Sequence, residues 1–150
     1  MKSIMRKITH LIIHCSATRA DRELPVDELE AIHRRRGFRG IGYHYYVRKD
    51  GTVLGTRSLE ITGAHCRGQN AHSIGICYEG GLDTRGNPKD TRTPAQRSAL
   101  RLLAAQLLKQ FPDARLCGHR DFSPDQNGNG EIEPEEWIKQ CPCFDVSREF

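Results

Sequence analysis

No stretch of the 150 residues approaches the ~18 consecutive apolar positions that a membrane-spanning helix needs, so an integral membrane protein is not expected. Internal repeats, linkers and low-complexity tracts are also missing, and the length fits one domain with a real core. The start, Met1-Lys2-Ser3-Ile4-Met5-Arg6-Lys7, is basic. The apolar stretch behind it is short, is broken by His10 and His14, and lacks a small-residue cleavage site, so no secretory signal is expected. The expected compartment of synthesis is then a reducing cytoplasm, where six cysteines read as free thiols or metal ligands instead of a disulfide framework. An excess of one charge sign is also small: 23 Lys+Arg against 19 Asp+Glu leave +4. That balance mildly favours anionic partners, nucleic acid or cell-wall polymer, without choosing between them. What is present, 37% hydrophobic and 28% charged residues, suits a folded domain and not a disordered chain.

Periodicity and turn chemistry outline the elements. Lys7 to His14 is rich in β-branched residues and predicts a strand, ended by Cys15-Ser16-Ala17-Thr18. Pro25 opens a helix to about Arg36, with Gly37 as a stop. Tyr43–Val47 predicts a second strand, turned by Lys49-Asp50-Gly51-Thr52 into Val53-Leu54. Ser73–Tyr78 is apolar on both faces and predicts a central strand; Gly80 to Arg92 reads as a polar loop. Thr93-Pro94-Ala95-Gln96 carries the marks of a capping box, and Leu100, Leu103, Ala104, Leu107 and Leu108 form the buried stripe of the longest helix. A short strand at Ala114–Cys117 and a short helix at about 133–139 follow. Strands mixed with flanking helices predict one α/β domain with a mixed central sheet.

Histidine and cysteine fall at predicted strand ends, where a sheet edge can bring them to one point. His10 and His14 share a strand face but lie roughly 13 Å apart, so this strand offers one ligand at most, and His14, at the strand end, is the better placed. His119 follows the Ala114–Cys117 strand, and Cys141 leads Cys-Pro-Cys. Two imidazoles and one thiolate would leave a tetrahedral zinc one open position, the mark of a catalytic site. A lone His or Cys is more often a packed or solvated residue. A structural alternative is a closed site on Cys117, His119, Cys141 and Cys143, although its Cys-x-His and Cys-x-Cys spacings are tighter than usual.

Eight segments occur in a telling order: Ile12–Thr18, Gly42–Tyr46, Lys49–Thr52, Gly63-Ala64-His65, Ser73–Ile76, Thr93–Gln96, Gly118-His119-Arg120 and Lys139–Asp145. Together they resemble the zinc-dependent N-acetylmuramoyl-L-alanine amidases of the phage-lysozyme and peptidoglycan-recognition superfamily, from about Ile8 to Asp145. The resemblance implies zinc on His14, His119 and Cys141, a catalytic tyrosine at Tyr43 and a catalytic lysine at Lys139. It also implies cleavage of the amide between the lactyl group of N-acetylmuramic acid and the first L-alanine of the stem peptide. Zinc would polarise the carbonyl and its bound water; Lys139 would stabilise the oxyanion, and Tyr43 would orient water or assist proton transfer. The superfamily branch that recycles wall fragments has a catalytic glutamate where this chain has Cys77, which cannot replace it as a neutral thiol. The phage branch also lacks that glutamate, which fits Tyr43. Glu79, on the same strand face as Cys77, is a reserve general base, set against the plainer reading of a solvated carboxylate. His65 lies in a loop resembling the family's substrate groove and is a candidate contact for peptide or oxyanion. His33, beside Arg34-Arg35-Arg36, is expected on a solvated helix face, and His44 is expected to be structural.

One further motif stands apart. Asp125–Glu136 fits the calcium-loop pattern D-x-[DN]-x-[DN]-G-x5-E, with ligands from Asp125, Asn127, Asn129, the Glu131 carbonyl and Glu136. A polar, turn-rich insertion is the plainer alternative, for no partner loop or entering helix is evident.

The expected function is a zinc amidase that cleaves peptidoglycan, reaching the wall after lysis or dedicated export. Three rivals are weighed. A non-catalytic recognition module of the same fold is opposed by Cys141, Tyr43 and Lys139. An amidase that also restrains a regulatory protein is untouched by any sequence feature. A nucleic-acid binder with structural zinc is opposed by the low charge and the lack of an aromatic-basic stripe.

Overall fold

Six residues of the apolar stretch behind the basic start, HLIIHC, build the centre of the molecule. They form strand β1 (His10–Cys15), with five of the six buried. The computed structural model describes residues 6–123 and 140–149. In chain order the further elements are β2 (Thr18–Arg19), α1 (Val26–Arg35), β3 (Tyr45–Val47), β4 (Val53–Gly55), β5 (Ser73–Tyr78), β6 (Gly81–Leu82), α2 (Pro94–Gln110), β7 (Arg115–Gly118) and α3 (Val146–Glu149), with short 3-10 turns at Asn70–His72 and His119–Phe122.

The main sheet has the order β4-β3-β5-β1-β7. β1 runs parallel to β5 and β7, β3 runs parallel to β5, and the β3–β4 hairpin is antiparallel. This is the expected mixed sheet. β5 is buried along its whole length, as its two-sided apolar sequence requires of a strand covered on both faces.

Alternation along the strands sorts the two faces. Leu11 and Ile13 of β1 join Ile74, Ile76 and Val47 beneath Leu100, Leu103 and Leu107 of α2. Each such leucine contributes roughly 1.5–3 kcal/mol by its burial. On the other face Tyr46 and Cys77 pack with Leu29 of α1, Leu24 and Ile41. His14 pairs in register with Cys77 and therefore belongs to this second face, outside the main apolar cluster.

The capping box of α2 is present: Thr93 Oγ1 accepts from the Gln96 N–H at 3.1 Å, and the Thr93 N–H donates to Gln96 Oε1 at 3.0 Å. Gln96 is fully buried and its Nε2 also donates to the Val47 and Glu79 carbonyls, so the cap is welded to the ends of β3 and β5. The polar loop expected from Gly80 instead contributes β6, whose two residues pair in parallel with β2. Elements of two and four residues, such as β2, β6 and α3, are too short to leave a periodic signal. The helix expected at about 133–139 lies outside the described residues. No helix among the described residues is long and apolar enough to cross a membrane.

Candidate metal centre

The carboxyl ends of β1 and β7, adjacent and parallel, deliver the two histidines. His14 is the penultimate residue of β1, almost fully buried, and His119 opens the 3-10 turn directly after β7; their rings lie 4.6 Å apart. The Gly118 N–H donates to Asp121 Oδ2 at 2.8 Å, which holds that turn. Cys141 comes from the other described segment. Its carbonyl accepts the Arg120 N–H at 2.8 Å, while the Arg120 guanidinium donates twice to the Gln140 carbonyl. The Tyr78 hydroxyl donates to the Pro142 carbonyl. Gly118 lets this segment approach, because a Cβ there would lie 2.8 Å from Pro142 Cδ. The Cys141–Pro142 peptide is cis.

These elements bring one donor atom each from His14, His119 and Cys141 to within 4.8 Å of one another. Bonds of ~2.0–2.3 Å to a tetrahedral zinc would set such donors roughly 3.5 Å apart, so modest side-chain adjustment satisfies the ion. Two imidazoles and a thiolate suit zinc, and the site opens onto a groove of about 870 Å³ lined by, among others, Ser16, Tyr43, His65, Arg67, His119 and Phe122. The alternative four-ligand site is not assembled. Cys117 Sγ turns to the Leu11 carbonyl, and Cys143 Sγ lies 3.9 Å from Cys15 Sγ and donates to the Gly81 carbonyl. All six cysteines are free thiols.

Tyr43 joins the site: its ring lies 5.1 Å from that of His14 and 5.4 Å from that of His33. Burial pushes its phenol well above the usual range, helped by Cys77, Cys141 and Cys15, so its O–H proton is harder still to remove than that of an ordinary tyrosine. His65 is also here, with Nδ1 2.8 Å from His14 Nε2. Burial, and then the charges of His44, His119, Arg6 and Arg57, hold its pKa down to about 3. His10 turns elsewhere, against His72 and Phe122, in keeping with one ligand per strand. His44 is structural as expected: its Nδ1 accepts the Gly75 N–H and its Nε2 meets the Ile61 carbonyl at 2.8 Å.

Two expectations are overturned. His33 is not on a solvated face; it is buried and its Nδ1 accepts the Gly42 N–H at 2.8 Å, which steadies the entry to Tyr43. Its spacing of four from buried Leu29 is the signal that turns it inward, against the three arginines that follow it. Glu79 is not a solvated carboxylate and does not face the groove. It accepts from Leu24 N–H (2.7 Å), Lys49 N–H (2.9 Å) and Arg48 Nε (2.8 Å). Burial alone would raise its pKa, yet Arg48 and the two N–H groups together hold it below the ordinary carboxylate value. Lys139 and the Asp125, Asn127, Asn129, Glu131 and Glu136 motif lie outside the described residues.

Two imidazoles at the carboxyl ends of parallel strands, and a cysteine from the segment at 140–149, gather beside an open groove, a donor set of the kind that holds zinc in hydrolases. Residues 5–136 match the family model described as N-acetylmuramoyl-L-alanine amidase. Over 143 residues the chain is 37% identical to an endolysin of Klebsiella phage KP32, covering 95% of this chain and 85% of that protein. The fold matches the N-acetylmuramoyl-L-alanine amidase LysC from Clostridium intestinale URNW with a TM-score of 0.73 and 26% identity, covering 96% of this chain and 82% of that one. Drosophila PGRP-LB shares the fold at a TM-score of 0.69 and 22% identity, with 94% and 78% covered. The chain belongs to the N-acetylmuramoyl-L-alanine amidase family.

Proposed function

We propose that this amidase cleaves the bond between N-acetylmuramic acid and the first L-alanine of peptidoglycan with zinc held by His14, His119 and Cys141. The observation that carries the reading is the convergence of those three donor atoms in the lining of the groove. Zinc, when bound, supplies Lewis-acid polarisation of the scissile carbonyl and a bound water of lowered pKa.

The remaining work belongs to the chain's own residues. Tyr43, whose burial makes its hydroxyl proton harder still to lose, serves as a hydrogen-bond donor at the reacting group and not as a base. Lys139, two positions before Cys141, is the proposed cation for the developing oxyanion; this assignment rests on sequence alone. The groove walls, including Phe122 and Arg67, would position the wall fragment. The motif at Asp125–Glu136 supports a calcium loop between His119 and Cys141, again from sequence alone.

The test is the release of new L-alanine amino termini from purified peptidoglycan. Wild type should produce them and Cys141→Ala should not. Zinc-loaded wild type that yields no new termini across several wall chemistries would defeat the proposal.

A further inference from the structure

Behind the proposed ligand His14 lies a second histidine in a fitted slot. His65 Nδ1 is 2.8 Å from His14 Nε2, and its Nε2 is 3.3 Å from the buried Ser73 hydroxyl. The two imidazoles meet edge to face, 4.9 Å apart at 86°. The His65 backbone N–H is itself tied to Asn70 Oδ1 at 2.9 Å, as is that of Cys66. Two glycines shape the slot: a Cβ on either Gly63 or Gly75 would lie 2.6 Å from His65 Cδ2. The backbone thus comes closer to this ring than any other residue type would permit.

We propose that His65 is a positioning residue for the metal centre, its Nδ1 accepting a hydrogen bond from the Nε2–H of His14 while its own Nε2–H donates to the Ser73 hydroxyl oxygen. The proposal rests on the zinc reading of His14. A neutral imidazole protonated at Nε2 carries its lone pair on Nδ1, so the contact selects the tautomer and the ring angle with which His14 meets an ion. Metal-bound histidines commonly lean on a carboxylate or a carbonyl for this purpose. Here the partner is an uncharged imidazole, which orients His14 without adding negative charge beside the site.

The bond to His14 uses Nδ1, and the asparagine amide occupies that place, whereas glutamine reaches toward the Nε2 place facing Ser73. The measurements are zinc affinity, by competition with a chromophoric chelator, and the visible spectrum of the cobalt-substituted protein. His65→Leu should weaken zinc about 10–100-fold and alter the cobalt spectrum. His65→Asn should recover most of the affinity, and His65→Gln should not. Should the leucine variant fail to fold, the ranking of Asn above Gln remains the test. Equal zinc affinity in wild type and His65→Leu, or Gln equal to or above Asn, overturns the proposal. A wild type that takes up no stoichiometric zinc would instead overturn the zinc reading of His14, His119 and Cys141.

Discussion

The backbone N–H of Cys15 donates to the Sγ of Cys141 at 3.1 Å, joining the end of β1 to a residue 126 positions further along the chain. One strand end therefore supplies both a proposed ligand, His14, and an outer contact to the sulfur of another, Cys141. Contacts of this kind orient ligands before the ion arrives. Cys141→Ser keeps the segment's shape but removes the soft donor. Zinc affinity should fall by at least about 100-fold, the upper end of what an outer-shell partner costs. Chelator competition measures it, and undiminished affinity would remove Cys141 from the ligand set.

Tyr43→Phe keeps the ring against His14 and His33 and deletes only the hydroxyl. kcat should fall by about 100-fold or more, while zinc content and melting temperature stay at wild-type values. Wild-type turnover in this variant would reduce Tyr43 to a packing residue.

Glu79→Gln separates a structural carboxylate from a general base. Loss of the charge beside Arg48 should cost about 1–3 kcal/mol in urea unfolding, with kcat per folded molecule unchanged. A stable variant without activity would return Glu79 to the catalytic machinery.

Buried neutral histidines set a pH response. His44 is held down to about 4, chiefly by burial, and His65 to about 3, likewise by burial. Both are harder to protonate in the fold than in the unfolded chain, where the value is near ~6.5. The unfolded chain therefore takes up more protons as pH drops through that value, and stability falls from about pH 6.5 toward 4. By pH 5 the loss from His44 is about 2 kcal/mol at most. Urea midpoints of the metal-free protein at pH 7.5 and 5 measure it; an equal or higher midpoint at pH 5 contradicts the assignment.

Calcium titration followed by calorimetry probes the Asp125–Glu136 motif. Wild type should release heat and gain melting temperature, and Glu136→Gln should lose both effects. No heat in wild type leaves the segment as a polar insertion.

Much of the site was legible because its residues sit at chain positions with local signals. His14 ends a β-branched run, His119 follows a short strand, and Thr93-Pro94-Ala95-Gln96 carries its own cap. Residues whose roles depend on distant partners were not legible. Glu79 reads as exposed until Arg48, Lys49 and Leu24 are brought to it. The His65–Ser73 contact needs the close pass of Gly63 and Gly75, which periodicity does not encode. His33 was hidden by the charge of its neighbours, although helical spacing placed it with Leu29.

The central claim is that the activity depends on one zinc held by His14, His119 and Cys141. Stepwise chelation of the purified protein, with bound zinc and peptidoglycan cleavage followed in the same samples, tests it most directly. Cleavage should fall in proportion to zinc removed and return with one equivalent of added zinc. Metal-free protein that still releases L-alanine termini at the wild-type rate would contradict it.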